Sequence, residues 1–388
     1  MNESRQTLFG SYDLAFMRRA LDLSRKGRFS VSPNPRVGCV IVREPSASAD
    51  GIFRVIGEGF HLRKGLPHAE RVALDSCAED PRGSTLFVTL EPCCHHGATP
   101  PCTEAILKAG IRRVVAATTD PFPQVAGQGI KWLRNHGVQV DVGLLEDEAR
   151  FENRYFLHRH EIGLPWVILK AAVSLDGKLS TATGQSKWIT GEEARTHVHS
   201  LRAEVDAILV GVGTVLTDDP LLTARPSVSE IHDWKPTIRV VLDPQGLISS
   251  SSRLLKTAKD SPVWIFLADS VSPSQKERIE TAGARVDFVS CSDEKLDLIQ
   301  ILRRLAEANI LSLLVEGGGN VHTSFLENQL VNEVAIYIAP VLVGGKPSPT
   351  FYMGQGVSTM KEAPRLERVN RRLLGPDTLI RGILKWKL

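Results

Sequence analysis

The sequence predicts an α/β protein of two domains, and three observations carry that prediction. The chain has 388 residues, more than one hydrophobic core usually organises. Short runs rich in Val, Ile and Leu alternate with amphipathic stretches, the pattern of strands followed by helices. A charged helical stretch over residues 146–160 leads to Gly163-Leu164-Pro165, and a second α/β pattern begins beyond it.

Residues 14–26 read as an amphipathic helix that ends at Gly27. Residues 37–42 and 53–57 read as strands joined by the polar loop 44–51. A helix over 68–78 and a strand over 85–90 follow. Residues 102–109 form a helix stopped by Gly110, leading into a strand over 111–118. A helix over 129–136 and a strand over 138–142 complete the first pattern. In the second, 166–173 is a strand, 192–203 a helix and 206–210 a strand. Residues 237–242 and 263–267 have the apolar character of buried strands. A helix over 296–308, a strand over 311–315 and a helix from Asn320 come next, with late strands at 334–338 and 378–384. The domains are thus placed at 1–149 and 164–388, with 150–163 as a linker.

Hydrophobic content of 42% and charged content of 23% are those of a soluble globular protein. The net charge of +3 is small and nearly balanced in both halves, which argues against a nucleic-acid partner. No apolar run reaches the length of a membrane span, and residues 1–7 lack a signal-peptide core. Three of the six cysteines, Cys93, Cys94 and Cys102, fall within ten residues. That crowding suits a metal loop in a reducing cytoplasm better than a disulfide framework.

The most specific chemistry lies in Pro67-His68-Ala69-Glu70, Glu91-Pro92-Cys93 and Pro101-Cys102. One imidazole and two thiolates make three zinc ligands and leave a fourth position for water, the arrangement of a catalytic zinc. Glu70, two residues from the histidine, suits a proton shuttle, and the combination is the signature of zinc deaminases. Each expected ligand follows a proline, which places His68 and Cys102 at helix N-termini. There the helix dipole favours a thiolate. The Cys93-to-Cys102 spacing is longer than the usual Cys-x-x-Cys. Cys94, His95 and His96 could also ligate. The competing reading is a closed site of Cys93, Cys94, Cys102 and a histidine, which leaves Glu70 idle. In the second half, Gly317-Gly318-Gly319 between a strand and a helix suits a phosphate loop or a plain tight turn. Val210-Gly211-Val212-Gly213-Thr214 is a glycine pair at a strand end that lacks the third glycine of a dinucleotide fingerprint.

Residues 91–102, Glu-Pro-Cys-Cys-His-His-Gly-Ala-Thr-Pro-Pro-Cys, resemble the zinc loop of the bifunctional riboflavin-biosynthesis deaminase–reductase family. Residues 32–38 and 120–127 resemble other stretches of the same deaminase domain. Residues 170–178, 186–190, 214–225 and 315–319 resemble blocks of the family's reductase domain, in the family's order. The resemblance implies a cytidine-deaminase-like three-layer domain followed by a dihydrofolate-reductase-like domain. It implies one Zn2+ on His68, Cys93 and Cys102, Glu70 as proton shuttle, and Asn34, His61 and His95 as pyrimidine contacts. For the reductase it implies NADPH held by Ala172, Trp188, Thr214, Asp218 and the loop of Gly318, Gly319, Asn320, Val321, His322, Thr323 and Ser324. Ser186, Arg202, Leu222, Arg225 and Glu316 would contact the sugar phosphate, with Lys170, Asp218 and Glu316 at the hydride-transfer centre. Taken singly, Arg202 and Asp218 fit solvated surface charges, and Trp188 fits a core aromatic.

The implied substrate is a small phosphoribosyl-pyrimidine, handled by a cytoplasmic homo-oligomer without nucleic-acid or membrane partners. Two positions depart from the family: Ala98 stands where Lys or Arg is usual, and Phe122 where Asn is frequent. Arg36, Arg63 or Lys64 are the cations that could stand in for the missing one. The other readings are a nucleoside or tRNA deaminase fused to a nucleotide-binding module, and a non-catalytic zinc-stabilised nucleotide sensor.

Overall fold

The computed structural model describes residues 9–45, 52–96, 100–122, 125–225 and 235–386. Ala98 and the segment 228–234 lie outside the described residues. The chain divides into two compact units, Met1–Ile162 and Gly163–Leu388. Among the described residues no helix is long and apolar enough to cross a membrane.

The first unit is built on strands β1 (Gly38–Arg43), β2 (Arg54–Phe60), β3 (Thr85–Val88), β4 (Arg113–Ala116) and β5 (Gln139–Val142), in the order β2-β1-β3-β4-β5. The β1–β2 and β1–β3 pairs are antiparallel; β3–β4 and β4–β5 are parallel, because a helix crosses over between each. The helices are α1 (Ser11–Arg25), α2 (Ala69–Asp75), α3 (Cys102–Lys108), α4 (Gln128–Asn135), α5 (Glu146–Glu152) and α6 (Arg154–Ile162). Met17, Ala20 and Leu21 of α1 and Ala149 of α5 pack with Val40, Val42, Phe87 and Val115 on one sheet face. Helix α2 lies on β1 and β2, and α3 lies between α2 and α4. This three-layer α/β arrangement requires close approach at Gly59, where a Cβ would stand 2.4 Å from the Ala69 carbonyl oxygen. The glycine lets the start of α2, and with it His68 and Glu70, sit against the sheet. The charged stretch 146–160, read from sequence as helical, forms α5 and α6, and Tyr155, Phe156 and Leu157 within the expected linker 150–163 are buried.

The second unit contains β6 (Trp166–Ser174), β7 (Ala207–Gly211), β8 (Ile238–Leu242), β9 (Val263–Ala268), β10 (Arg285–Val289), β11 (Cys291–Ser292), β12 (Lys295–Leu296), β13 (Ser312–Val315), β14 (Glu333–Ala339), β15 (Arg365–Leu374) and β16 (Asp377–Lys385). Nine of them form one sheet in the order β10-β9-β8-β7-β13-β6-β14-β16-β15, while β11 and β12 make a separate hairpin. The run from β10 to β14 is parallel and β16 and β15 are antiparallel additions. Helices α7 (Glu192–Glu204), α8 (Val212–Asp218), α9 (Arg253–Lys256), α10 (Pro273–Thr281), α11 (Leu298–Glu307) and α12 (Gly319–Glu327) join them. The core gathers the apolar side chains of β6, β7, β9 and β13 against Ile301, Leu302 and Leu305 of α11 and Phe325 of α12. The chain runs outward from β7 to β10 and then returns to insert β13 between β7 and β6. A crevice opens at the carboxyl ends of strands where the winding reverses, the usual ligand site of such sheets.

Candidate active sites

His68 is the N-cap of α2, Cys102 is the first residue of α3, and Cys93 lies in the connection between β3 and α3. Cys93 Sγ and Cys102 Sγ stand 3.5 and 3.4 Å from His68 Nδ1. The backbone N–H of Cys102 donates to Cys93 Sγ over 3.4 Å, a contact that favours the thiolate. The three ligand atoms lie within 4.8 Å of one another, and among the described residues they form the only such group of three or more. One nitrogen and two sulfurs at this separation fit Zn2+ with a position to spare. Cys94 is not in the group, so the closed four-ligand site is not built.

Glu70 sits in the first turn of α2, 3% exposed. Burial pushes its carboxyl up to about 7, with the Cys93 sulfur adding to the effect. A carboxyl poised near neutrality can both take and give a proton. His61, 3% exposed, has both ring nitrogens engaged: Nδ1 meets the Pro67 carbonyl at 3.1 Å and Nε2 meets Asn34 Nδ2 at 2.9 Å. The first contact makes Nδ1 the donor, so Nε2 accepts from the Asn34 amide, whose oxygen is thereby oriented away from the histidine. His95 has its Nδ1 buried without a hydrogen-bond partner, and its ring centroid is 6.4 Å from that of Phe122. Of the cations proposed to replace the one missing at Ala98, Arg36 is buried with its guanidinium 5.3 Å from the Tyr155 ring centroid, while Arg63 and Lys64 are exposed.

Sequence reasoning missed Glu91. Its buried carboxylate accepts from the backbone N–H groups of Asp120 (3.1 Å), Gly127 (2.9 Å) and Ile130 (3.1 Å). It therefore ties the zinc loop to the 120–130 segment and to the first turn of α4. Gly129 permits the approach, since a Cβ there would stand 2.0 Å from the Pro92 carbonyl oxygen. Glu91 directly precedes Pro92 and Cys93, but its partners lie 29 to 39 residues downstream, so no local pattern marks the role.

In the second unit a cleft of about 950 Å³ occupies the crevice. Lys170 and Ala172 enter it from β6, Gly211, Thr214 and Asp218 from the end of β7 and from α8, and Glu316–Val321 from the end of β13 and the start of α12. Arg202, on the last turn of α7, forks onto Glu316 with Nε–Oε1 at 2.7 Å and Nη2–Oε2 at 2.8 Å. Lys170 Nζ stands 3.8 Å from Glu316 Oε2. Burial alone would raise the Glu316 carboxyl, but Arg202, with Lys170, outweighs it and holds the group at about 2. Burial pushes the Lys170 ammonium down. Arg202 is thus a largely covered, paired charge and not a solvated one.

Ser186, Leu222 and Arg225 also line the cleft. Trp188 is at its wall but 73% exposed, with the Arg195 guanidinium 4.6 Å from its ring centroid, so it is no core aromatic. Gly318 caps α12, and a Cβ on it would meet nothing within 4 Å. Open backbone at the head of this helix fits a nucleotide phosphate. His322 lines the cleft at 1% exposure, and neither ring nitrogen has a hydrogen-bond partner. Thr323 and Ser324 are further along α12 and not on the cleft: Thr323 Oγ1 accepts from the Met353 N–H, and Ser324 Oγ donates to the Asn320 carbonyl.

One chain therefore joins a metal-dependent hydrolytic deaminase to a nucleotide-dependent reductase. Comparison with known proteins makes that class particular. Residues 11–118 match the cytidine and deoxycytidylate deaminase zinc-binding region, and residues 165–380 match the RibD C-terminal domain. The riboflavin biosynthesis protein RibD of Bacillus amyloliquefaciens is 40% identical over 370 residues, 95% of this chain and 96% of that one. A RibD structure from Acinetobacter baumannii superposes with a TM-score of 0.83 at 34% identity, covering 96% of this chain and 99% of that one. A structure from Thermotoga maritima, described as a diaminohydroxyphosphoribosylaminopyrimidine deaminase/5-amino-6-(5-phosphoribosylamino)uracil reductase, gives 0.80 at 36% identity, covering 97% and 99%. The chain belongs to the RibD family. It is a bifunctional deaminase and reductase of riboflavin biosynthesis, with zinc and NADPH as its cofactors.

Proposed function

We propose that the first unit removes the ring 2-amino group of 2,5-diamino-6-(5-phosphoribosylamino)pyrimidin-4(3H)-one, and that the second reduces the ribosyl group of the deaminated product to ribityl. The observation that carries this reading is the His68–Cys93–Cys102 group with the buried Glu70 beside it. Zinc, when held by those three side chains, supplies a water acidic enough to attack at neutral pH. Glu70 takes the proton of that water and delivers it to the departing amino group, so that water and amine become ring carbonyl and ammonia. Asn34, its amide fixed by His61, and His95 orient the pyrimidine.

NADPH, when bound over the head of α12, supplies hydride to the sugar C1 carbon. As the C1–O bond of the furanose opens, the ring oxygen takes a proton, and Lys170 is the donor placed for it by Glu316. Arg202, Arg225, Ser186 and Leu222 hold the sugar phosphate; Ala172, Trp188, Thr214 and Asp218 hold the cofactor. The deaminase is assigned to residues 1–149 and the reductase to 164–388. The enzyme works as a cytoplasmic homo-oligomer on a small molecule, with no nucleic-acid or membrane partner, as its balanced charge suits. The Glu70→Gln variant tests the reading: ammonia release stops in it, and undiminished release contradicts the mechanism.

A further inference from the structure

We infer that Arg253 reads the 2′-phosphate of the dinucleotide and so selects NADPH over NADH. The inference rests on the reductase reading of this cleft. Six cations line it: Lys170, Lys187, Arg195, Arg202, Arg225 and Arg253. Lys170 and Arg202 are committed to Glu316. Arg195 covers the Trp188 ring and donates to the Thr190 carbonyl over 2.7 Å. Arg225 is among the residues placed on the sugar phosphate, and Lys187, between Ser186 and Trp188, comes from the segment joining β6 to α7 and not from the α8 end of the cleft.

Arg253 comes from a different place. It is the first residue of α9, exposed, and its backbone N–H donates to Asp219 Oδ1 over 2.8 Å. That bond fixes its Cα at the far end of α8, the helix that leaves β7. Lys170 and Glu316, where hydride must arrive, stand on β6 and at the end of β13. Between Lys170 and Arg253 lie about 10 Å of sheet, two strand spacings from β6 across β13 to β7, and the roughly two turns of α8. The head of α12 sits at the end of β13, partway along this path. A dinucleotide with nicotinamide at Lys170 and pyrophosphate at Gly318 carries its adenosine toward Thr214, Thr217 and Arg253. NADPH differs from NADH there by one phosphate dianion, and a guanidinium free to fork onto it is the side chain that geometry and charge favour.

The test is calorimetric binding of NADP+, NAD+, 2′,5′-ADP and 5′-AMP to the full chain and to Arg253→Ala and Arg253→Lys. Loss of a hydrogen-bonded charge pair should raise the Kd of NADP+ and of 2′,5′-ADP roughly 10- to 100-fold in the alanine variant. The Kd of NAD+ and of 5′-AMP should not move, and the lysine variant should fall between. An alanine variant that keeps the wild-type preference for NADP+, or that loses NADP+ and NAD+ affinity equally, overturns the inference while leaving the reductase reading intact. A wild-type chain that binds none of the four ligands overturns both.

Discussion

Glu91→Gln isolates the contribution of one buried carboxylate to the architecture of the zinc loop. The native side chain takes two backbone N–H groups on Oε2 and one on Oε1. In glutamine the oxygen can keep the Asp120 and Gly127 donors, but the amide nitrogen then faces the Ile130 N–H, donor against donor. A buried N–H left unsatisfied costs about 1–3 kcal/mol, and the two surviving bonds lose their charge assistance, about 1 kcal/mol each. Removing a buried charge also removes its desolvation cost, which brings the net to about 2–3 kcal/mol. For a unit of this size each kcal/mol is worth roughly 2–4 °C, so the midpoint should fall by about 4–12 °C. The assay is the thermal loss of ammonia release, with NADPH oxidation on deaminated substrate followed in the same samples as the internal control. A deaminase midpoint within about 2 °C of wild type, or a reductase midpoint that falls equally, refutes the reasoning.

Two further outcomes follow from the second unit. Glu316→Gln removes the bidentate partner of Arg202 and the counter-charge of Lys170, leaving two part-buried cations uncompensated. NADPH oxidation should drop roughly 100-fold or more as the sugar is misplaced, with the Kd of NADP+ unchanged; wild-type turnover contradicts the assignment. His322 is held neutral by burial, its pKa lowered to about 4 against an ordinary 6.5. The unfolded chain therefore takes a proton that the folded chain refuses between those values, and stability falls as pH drops from about 6.5 to 4. His322→Asn should flatten that part of the urea-stability profile relative to wild type, and an identical slope in the two proteins contradicts it.

The first unit was legible in the sequence because its chemistry is local. Helix α2 begins next to its ligand His68, α3 at its second cysteine, and the one strand between them, β3, is short and fully buried. The Lys170–Arg202–Glu316 cluster was not visible in the same way, since its members are up to 146 positions apart and meet only through the strand order; the family resemblance alone brought them together. Helix α8 read as a glycine pair at a strand end because Gly211 and Gly213 carry little helix propensity. Strand β15 went unread because its sequence, RLERVNRRLL, lies at a sheet edge with little alternation of apolar and polar residues. Helix α10 did carry a readable start, Ser272 capping with Pro273 at the first turn, which the periodicity alone did not pick out.

The most direct test of a zinc deaminase driven by Glu70 is one purified Glu70→Gln chain measured three ways. Zinc content should stay near one ion per chain, NADPH oxidation on the deaminated phosphoribosyl substrate should equal wild type, and ammonia release should fall roughly 100-fold or more, the range of a lost general acid–base. Ammonia release at the wild-type rate with zinc in place would contradict the account.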